Sequence, residues 1–143
     1  MILVGDTTWT GWTNVSGSFR RTSYDANRVY GYGMNASSAA LNNEVKRSFK
    51  VGTDGQYACK VSYVQAPQSA IYTIKLNGTI VGSFDGYAPT DVTLYDGFVS
   101  PEIPLGALTA DSAYWLHVAA LSKNAESSGY YLDFSRVVIY RVS

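Results

Sequence analysis

The chain has little of what metals, charged partners and membranes require. It carries one cysteine and one histidine, so an internal disulfide and a zinc site of paired cysteines are both excluded. Eleven basic residues balance eleven acidic ones, and only 15% of the 143 residues are charged. No basic surplus is available to neutralise nucleic-acid phosphates, and no apolar run approaches the ~20 residues that cross a bilayer. We therefore expect neither nucleic-acid binding nor membrane insertion.

The sequence also lacks the motifs of common hydrolases. Neither G-x-S-x-G nor H-E-x-x-H occurs, and the lone His117 lies in an alternating strand pattern, where a surface or satisfied core residue is expected. Four carboxylates lie between residues 84 and 102: Asp85, Asp91, Asp96 and Glu102. A glycosidase needs two carboxylates across a cleft, but carboxylates beside glycines are usually turn residues. We expect no enzymatic activity, with a glycosidase as the least favoured alternative.

Hydrophobic residues recur at every second position through most of the chain, which is the period of a half-buried strand. Such runs cover residues 57–63, 72–76, 79–84, 114–120 and 130–142. Asn77-Gly78 predicts a tight hairpin, because both central residues of a type I′ turn need positive φ. The apolar set changes phase at Ser135-Arg136, which predicts a bulge or bend there. No long amphipathic helix is indicated.

The arrangement of these runs indicates the fold class. Turn signals rich in Gly, Asp and Ser separate them at near-regular spacing, and no repeat or linker interrupts the chain. Several short strands in this order predict an all-β protein with an antiparallel β-sandwich. We expect one domain over residues 1–143, and a module cut from a longer chain is equally compatible with the sequence.

Three segments resemble the galactose-binding-like jelly-roll modules. F-K-V followed by D-G-Q-Y (residues 49–57), L-N-G followed by V-G and F-D-G-Y (residues 76–87), and K-N-x-x-S-x-G-Y leading into a strand with a central Asp (residues 123–133) match that family's pattern. The resemblance implies a jelly-roll sandwich and sugar binding. The first-strand A-E pair of the calcium-bearing relatives is absent, and Asp6 is the only early carboxylate.

Aromatic residues make up 14% of the chain and suggest a function. Some lie in turn-like contexts instead of strand patterns: Trp9, Trp12, Tyr30, Tyr32, Tyr87 and Tyr95. A ring against the C–H face of a sugar covers about 50 Å² and contributes about 1 kcal/mol. Asn35, Asp85 and Asn124 are candidate partners for sugar hydroxyls. The same rings would also suit a subunit interface or plain packing.

These observations predict a non-catalytic carbohydrate-binding or receptor-binding module, and zero net charge favours a neutral glycan bound with little dependence on salt. The composition also resembles distal domains of bacteriophage tail fibres and tailspikes, which implies a homotrimer that acts in host attachment, extracellularly or on the virion surface. The alternative from another class is a structural oligomerisation domain. No cofactor is expected to be required. A structural calcium ion stays open, because carboxylates that could bind it are plentiful: Asp6, Asp85, Asp91, Asp96 and Asp133.

Overall fold

A computed structural model of the chain describes residues 2–4, 12–23, 34–90 and 98–143. These residues form strands and turns with no helix, and so no helix among them could cross a membrane. The twelve strands are β1 (Ile2–Val4), β2 (Trp12–Ser16), β3 (Arg20–Ser23), β4 (Met34–Ser38), β5 (Glu44–Phe49), β6 (Gly55–Tyr63), β7 (Ile71–Leu76), β8 (Thr79–Asp85), β9 (Phe98–Val99), β10 (Ile103–Leu108), β11 (Tyr114–Ser122) and β12 (Leu132–Arg141).

Seven of the strands form one antiparallel sheet. Five of them follow the order β10-β6-β12-β4-β3, and the short strands β1 and β9 pair with β12 and β6 beside this path. The long strand β12 pairs with β6 along one edge, while its other edge pairs with β4 near its start and with β1 further on. The short strand β9 extends the pairing of β6 beyond β10. The two longest strands of this sheet therefore lie at its centre.

The other five strands form a second antiparallel sheet, ordered β2-β5-β11-β7-β8. Its central strand β11 pairs with β5 on one side and with β7 on the other. The β7–β8 hairpin closes one edge of this sheet and β2 closes the opposite edge.

The hydrophobic core lies between the two sheets, as the antiparallel β-sandwich predicted from the sequence requires. The fully buried side chains come from both sheets and include Val61, Leu132, Phe134, Val137 and Ile139 of one sheet and Val45, Tyr72, Ile74, Leu116 and Val118 of the other. Tyr72 stacks on Phe84 with ring centroids 4.9 Å apart, and both rings contact Tyr63 of the facing sheet. The fold class expected from the sequence is therefore confirmed.

Two local predictions are also confirmed. Asn77 and Gly78 adopt φ of 49° and 86° and join β7 directly to β8, as a type I′ hairpin requires. The pairing of β12 with β6 shifts register between Phe134 and Arg136, at the position where the apolar pattern changes phase. The last strand begins at Leu132, two residues later than the sequence pattern suggested.

Candidate functional site

The structure places the predicted sugar-contacting aromatic residues unequally. Trp9, Tyr30, Tyr32 and Tyr95 lie outside the described residues. Trp12 lies in strand β2 and not in a turn, and its half-buried ring packs edge-on against Phe134 at 5.4 Å between centroids. This corrects the expectation of a loop position for Trp12, because the inward side of the edge strand β2 faces the core.

Among the predicted hydroxyl partners, Asn35 lies in β4, where it pairs with Thr22 of β3. The other two come together with Tyr87 in what we call the loop cluster (Asp85, Tyr87 and Asn124). Asn124 donates from Nδ2 to Asp85 Oδ2 at 2.7 Å, and the Tyr87 backbone N–H donates to Asp85 Oδ1 at 2.9 Å. Residues 39 positions apart in the sequence are therefore neighbours at one end of the five-stranded sheet.

The loop cluster holds two loops together. Asn124 uses its second polar atom as well, because Oδ1 accepts the Glu126 backbone N–H at 2.9 Å. In the same loop, the Ser127 hydroxyl donates to the Ser69 carbonyl at 2.7 Å, and Ser127 is buried. Both oxygens of Asp85 and both polar atoms of Asn124 therefore already have protein partners, and binding of a sugar by this cluster stays a prediction.

A second candidate lies on the outer face of the five-stranded sheet. A cavity of about 310 Å³ is lined by Lys46, Asn77, Gly78, Trp115 and His117, and we call it the sheet-face pocket. Lys46 comes from β5, Trp115 and His117 from β11, and Asn77-Gly78 from the β7–β8 turn. Three neighbouring elements of one sheet thus supply the walls, so the pocket rests on paired strands.

Alternation along β11 produces this face. Leu116 and Val118 are fully buried in the core, so Trp115 and His117 point to the opposite side. The hairpin turn is fastened to the same strand: Asn77 Oδ1 accepts the Trp115 backbone N–H at 2.8 Å, and the Trp115 carbonyl accepts the Asn77 N–H at 2.8 Å. The turn therefore stays beside the indole.

Trp115 is the exposed aromatic ring of the pocket. It is 36% exposed, and the Lys46 ammonium lies 4.3 Å from the centroid of its ring. Among the described residues Lys46 makes no ion pair, so the indole is its charged group's partner. A cation over an exposed aromatic face contributes only about 0.5–1 kcal/mol, so Lys46 can leave the ring at little cost.

Beneath the pocket, Glu44 holds two basic side chains. Its carboxylate pairs with Lys75 Nζ through Oε1 and with His117 Nδ1 through Oε2, the latter at 2.9 Å. Burial raises the pKa of Glu44, but the hydrogen bonds from Lys75 and His117 outweigh burial and hold the pKa below its usual value. Because a carboxylate only accepts, Nδ1 of His117 carries a proton, and Nε2 is left to accept from a ligand when the ring is neutral.

Only some of the carboxylates expected to bind a metal ion or to form an acid pair lie in the described segments. No group of three or more His, Cys, Asp or Glu side chains lies close enough there to hold a metal ion. Asp85 lies in the loop cluster, whereas Glu102 accepts a hydrogen bond from Tyr140 of the seven-stranded sheet. Burial and the Glu102 carboxylate raise the pKa of Tyr140 to about 12. Asp6, Asp91 and Asp96 lie outside the described residues, so the calcium site stays a prediction.

The sequence patterns missed the sheet-face pocket. Aromatic residues in turn-like contexts do not include Trp115, which lies inside an alternating strand pattern; a tryptophan at the position opposite the apolar set of that strand is the sequence feature that indicates it. Nothing in the sequence places Lys46 beside it, because the register between β5 and β11 joins residues about seventy positions apart.

Comparison with known proteins shows the fold. No family model and no curated protein matches the chain. Among solved structures, a family 35 carbohydrate-binding module from Clostridium thermocellum superposes with a TM-score of 0.70 at 10% identity, over 99% of this chain and 98% of that one. The C-terminal CBM6 of a marine laminarinase from Zobellia galactanivorans gives 0.62 at 9% identity, over 98% of each chain.

Paenibacillus xanthan lyase matches with a TM-score of 0.67 and 23% identity over 98% of this chain. The chain spans only 13% of the length of that enzyme. At these identities the comparisons establish a shared β-sandwich architecture, and the ligand of this chain has to be argued from its own residues.

Proposed function

We propose that this chain is a non-catalytic carbohydrate-binding domain and that the sheet-face pocket is its sugar site. The observation that carries the proposal is the exposed Trp115 indole in a cavity of about 310 Å³ beside polar groups of three neighbouring elements. A sugar ring needs one flat apolar surface for its C–H face and hydrogen-bonding groups around its edge. The five residues that line the pocket supply both.

The apolar part of the binding can be estimated from Trp115. A tryptophan residue has about 250 Å² of surface, of which 36% is exposed, so a ligand could cover at most about 90 Å². At ~25 cal/mol per Å² this contributes about 2 kcal/mol. Hydrogen bonds to Asn77 and His117 would add about 1 kcal/mol each, and the resulting total of about 4 kcal/mol corresponds to a millimolar dissociation constant at a single site.

The superposition with carbohydrate-binding modules supports the proposal at the level of the fold, whereas the location of the site is argued from the residues of this chain. Full-length matches to modules of families 35 and 6 are consistent with a binding domain that has no chemistry of its own. Such a domain would act outside the cell, where polysaccharides are encountered. Weak binding at one pocket becomes useful when several copies act on one particle.

The test is a glycan array followed by calorimetry with Trp115→Ala and a matched control. Loss of the indole should weaken binding about 10- to 30-fold, because about 2 kcal/mol of contact is removed. Val99→Ala removes another exposed apolar side chain, one on the seven-stranded sheet, and should leave affinity unchanged. Equal binding by the wild type and Trp115→Ala would move the sugar site elsewhere, with the loop cluster as the next candidate.

Attachment to a phage tail fibre and a trimeric assembly stay hypotheses that rest on composition. Sedimentation separates the structural alternative from the binding proposal: a trimer that ignores every glycan favours an oligomerisation domain. A monomer that binds sugar removes the trimeric version and leaves the binding proposal intact.

A further inference from the structure

We propose that the sheet-face pocket selects sugars that carry a negative group, a carboxylate or a sulfate, with Lys46 as the cation that meets it. This inference rests on the proposed sugar-binding function and names the ligand class of the same site. It runs against the neutral ligand that the net charge of the whole chain favoured.

The first support is a row of basic side chains across the sheet. His117 of β11 pairs directly with Lys46 of β5 on one side and with Lys75 of β7 on the other. Directly opposed residues in antiparallel strands lie about 5 Å apart and point to the same face. Three basic side chains therefore point side by side to the outer face of this sheet, with the buried His117 between the two lysines, in a chain with zero formal net charge.

The second support is the distribution of the opposing charge. Glu44 lies two positions from Lys46 in β5, yet its carboxylate pairs with Lys75 and His117. The ammonium groups of Lys46 and Lys75 and the carboxylate of Glu44 together leave one net positive charge at this row. That charge belongs to Lys46, which pairs with no carboxylate among the described residues.

The third support is the position of Lys46 in the pocket. Its ammonium lies 4.3 Å from the centroid of the Trp115 ring. Because this contact is weak, the ammonium can leave the ring and pair with an anionic group of the ligand instead. A sugar on the indole would bring its substituents within reach of the lysine. Since hydrogen bonds to charged groups are about twice as strong as neutral ones, the anionic sugar should bind about tenfold more tightly than its uncharged counterpart.

The experiment compares two pairs of oligosaccharides, each differing only in charge. Trigalacturonate is compared with its methyl ester, and a sulfated galactan oligosaccharide with its desulfated form, by calorimetry at neutral pH and at low and high salt. The pair with the larger difference identifies the carboxylate or the sulfate as the preferred group. Binding of the charged member should weaken as salt rises.

Lys46→Met keeps the aliphatic stem and removes the charge, so it should cost about tenfold in affinity for the charged sugar and less than twofold for the uncharged one. Lys60→Met is the matched control, because Lys60 is an exposed strand lysine of the other sheet. Circular dichroism confirms that both variants fold.

The possible results separate the two proposals. If both members of each pair bind equally and Lys46→Met changes neither, while Trp115→Ala weakens both, the anionic selectivity is refuted and the sugar site stands. If none of the four sugars binds while an uncharged glycan from the array binds and is weakened by Trp115→Ala, the anionic selectivity is refuted and the sugar site stands. If Lys60→Met weakens binding as much as Lys46→Met does, the charge effect is not local to the pocket and the inference also fails.

Discussion

One buried hydroxyl links the two sheets, and its removal gives a sharp test of the fold. Tyr72 of β7 is fully buried, and its hydroxyl accepts the Asp133 backbone N–H at 2.8 Å and donates to the Asp133 carbonyl at 3.0 Å. Asp133 belongs to β12 of the facing sheet, next to the bulge in that strand. Tyr72→Phe keeps the stacked ring and deletes both hydrogen bonds.

The cost follows from the hydrogen bonds that the substitution removes. The Asp133 carbonyl still accepts the Val64 N–H at 2.9 Å, but the buried Asp133 N–H loses its acceptor. An unsatisfied buried donor costs about 1–3 kcal/mol, so we expect the free energy of unfolding to fall by about 2 kcal/mol. With an unfolding entropy near 2.1 cal/mol/K per residue over 143 residues, this lowers Tm by about 7 °C.

Urea denaturation and calorimetry measure the loss, and hydrogen exchange at the Asp133 amide reports on the bond itself. Tyr87→Phe is the control, because the half-buried Tyr87 hydroxyl bonds to no described residue; we expect a change below about 0.5 kcal/mol. A Tyr72→Phe protein that matches the wild type in stability and in Asp133 exchange would refute the link between the sheets.

Two further predictions concern the face that carries the pocket. Because Glu44 has a folded pKa below its ordinary 4.5, its stabilising contribution is present above that pH and is lost as pH falls through the folded value. Glu44→Gln removes the negative charge and keeps one acceptor oxygen for the two donors Lys75 and His117, so it should cost about 1–3 kcal/mol at neutral pH. It should also flatten the acid limb of the stability curve, and an unchanged acid limb would contradict this. In Gly78→Ala the added Cβ meets no heavy atom within 4 Å, but alanine is forced to adopt a φ near +86°. Urea titration should therefore show that the free energy of unfolding falls by about 1–2 kcal/mol. An unchanged free energy of unfolding would argue against the type I′ turn.

Local chemistry made much of the sandwich predictable. Alternation with period two identified β6, β7, β8 and β11. Asn77-Gly78 located the hairpin because positive φ is a property of those two residue types. Such signals act over a few neighbouring residues, so they can be recognised without knowing what the strand packs against.

The candidate site shows where such reasoning stops. The chemistry of Asp85 and Asn124 predicts hydroxyl binding, and the structure brings the two together, but their polar atoms already form hydrogen bonds to each other and to the backbone of their loops. The turn-like neighbours of Trp12 predict an exposed loop ring, yet Trp12 packs against the core from an edge strand. Residue type is compatible with both ligand contact and a structural role, and only the packing of the folded chain distinguishes the two.

By itself the sequence determined the strand period, the hairpin, the bulge in β12 and the absence of net charge. Tertiary structure alone decided that β11 lies between β5 and β7, which lines up Lys46, His117 and Lys75 and leaves Trp115 open beside them. The physical reason is that strand order and register arise from burying the inward faces of all the strands together. The outward row of charges is a consequence of that packing and leaves no trace in any local pattern.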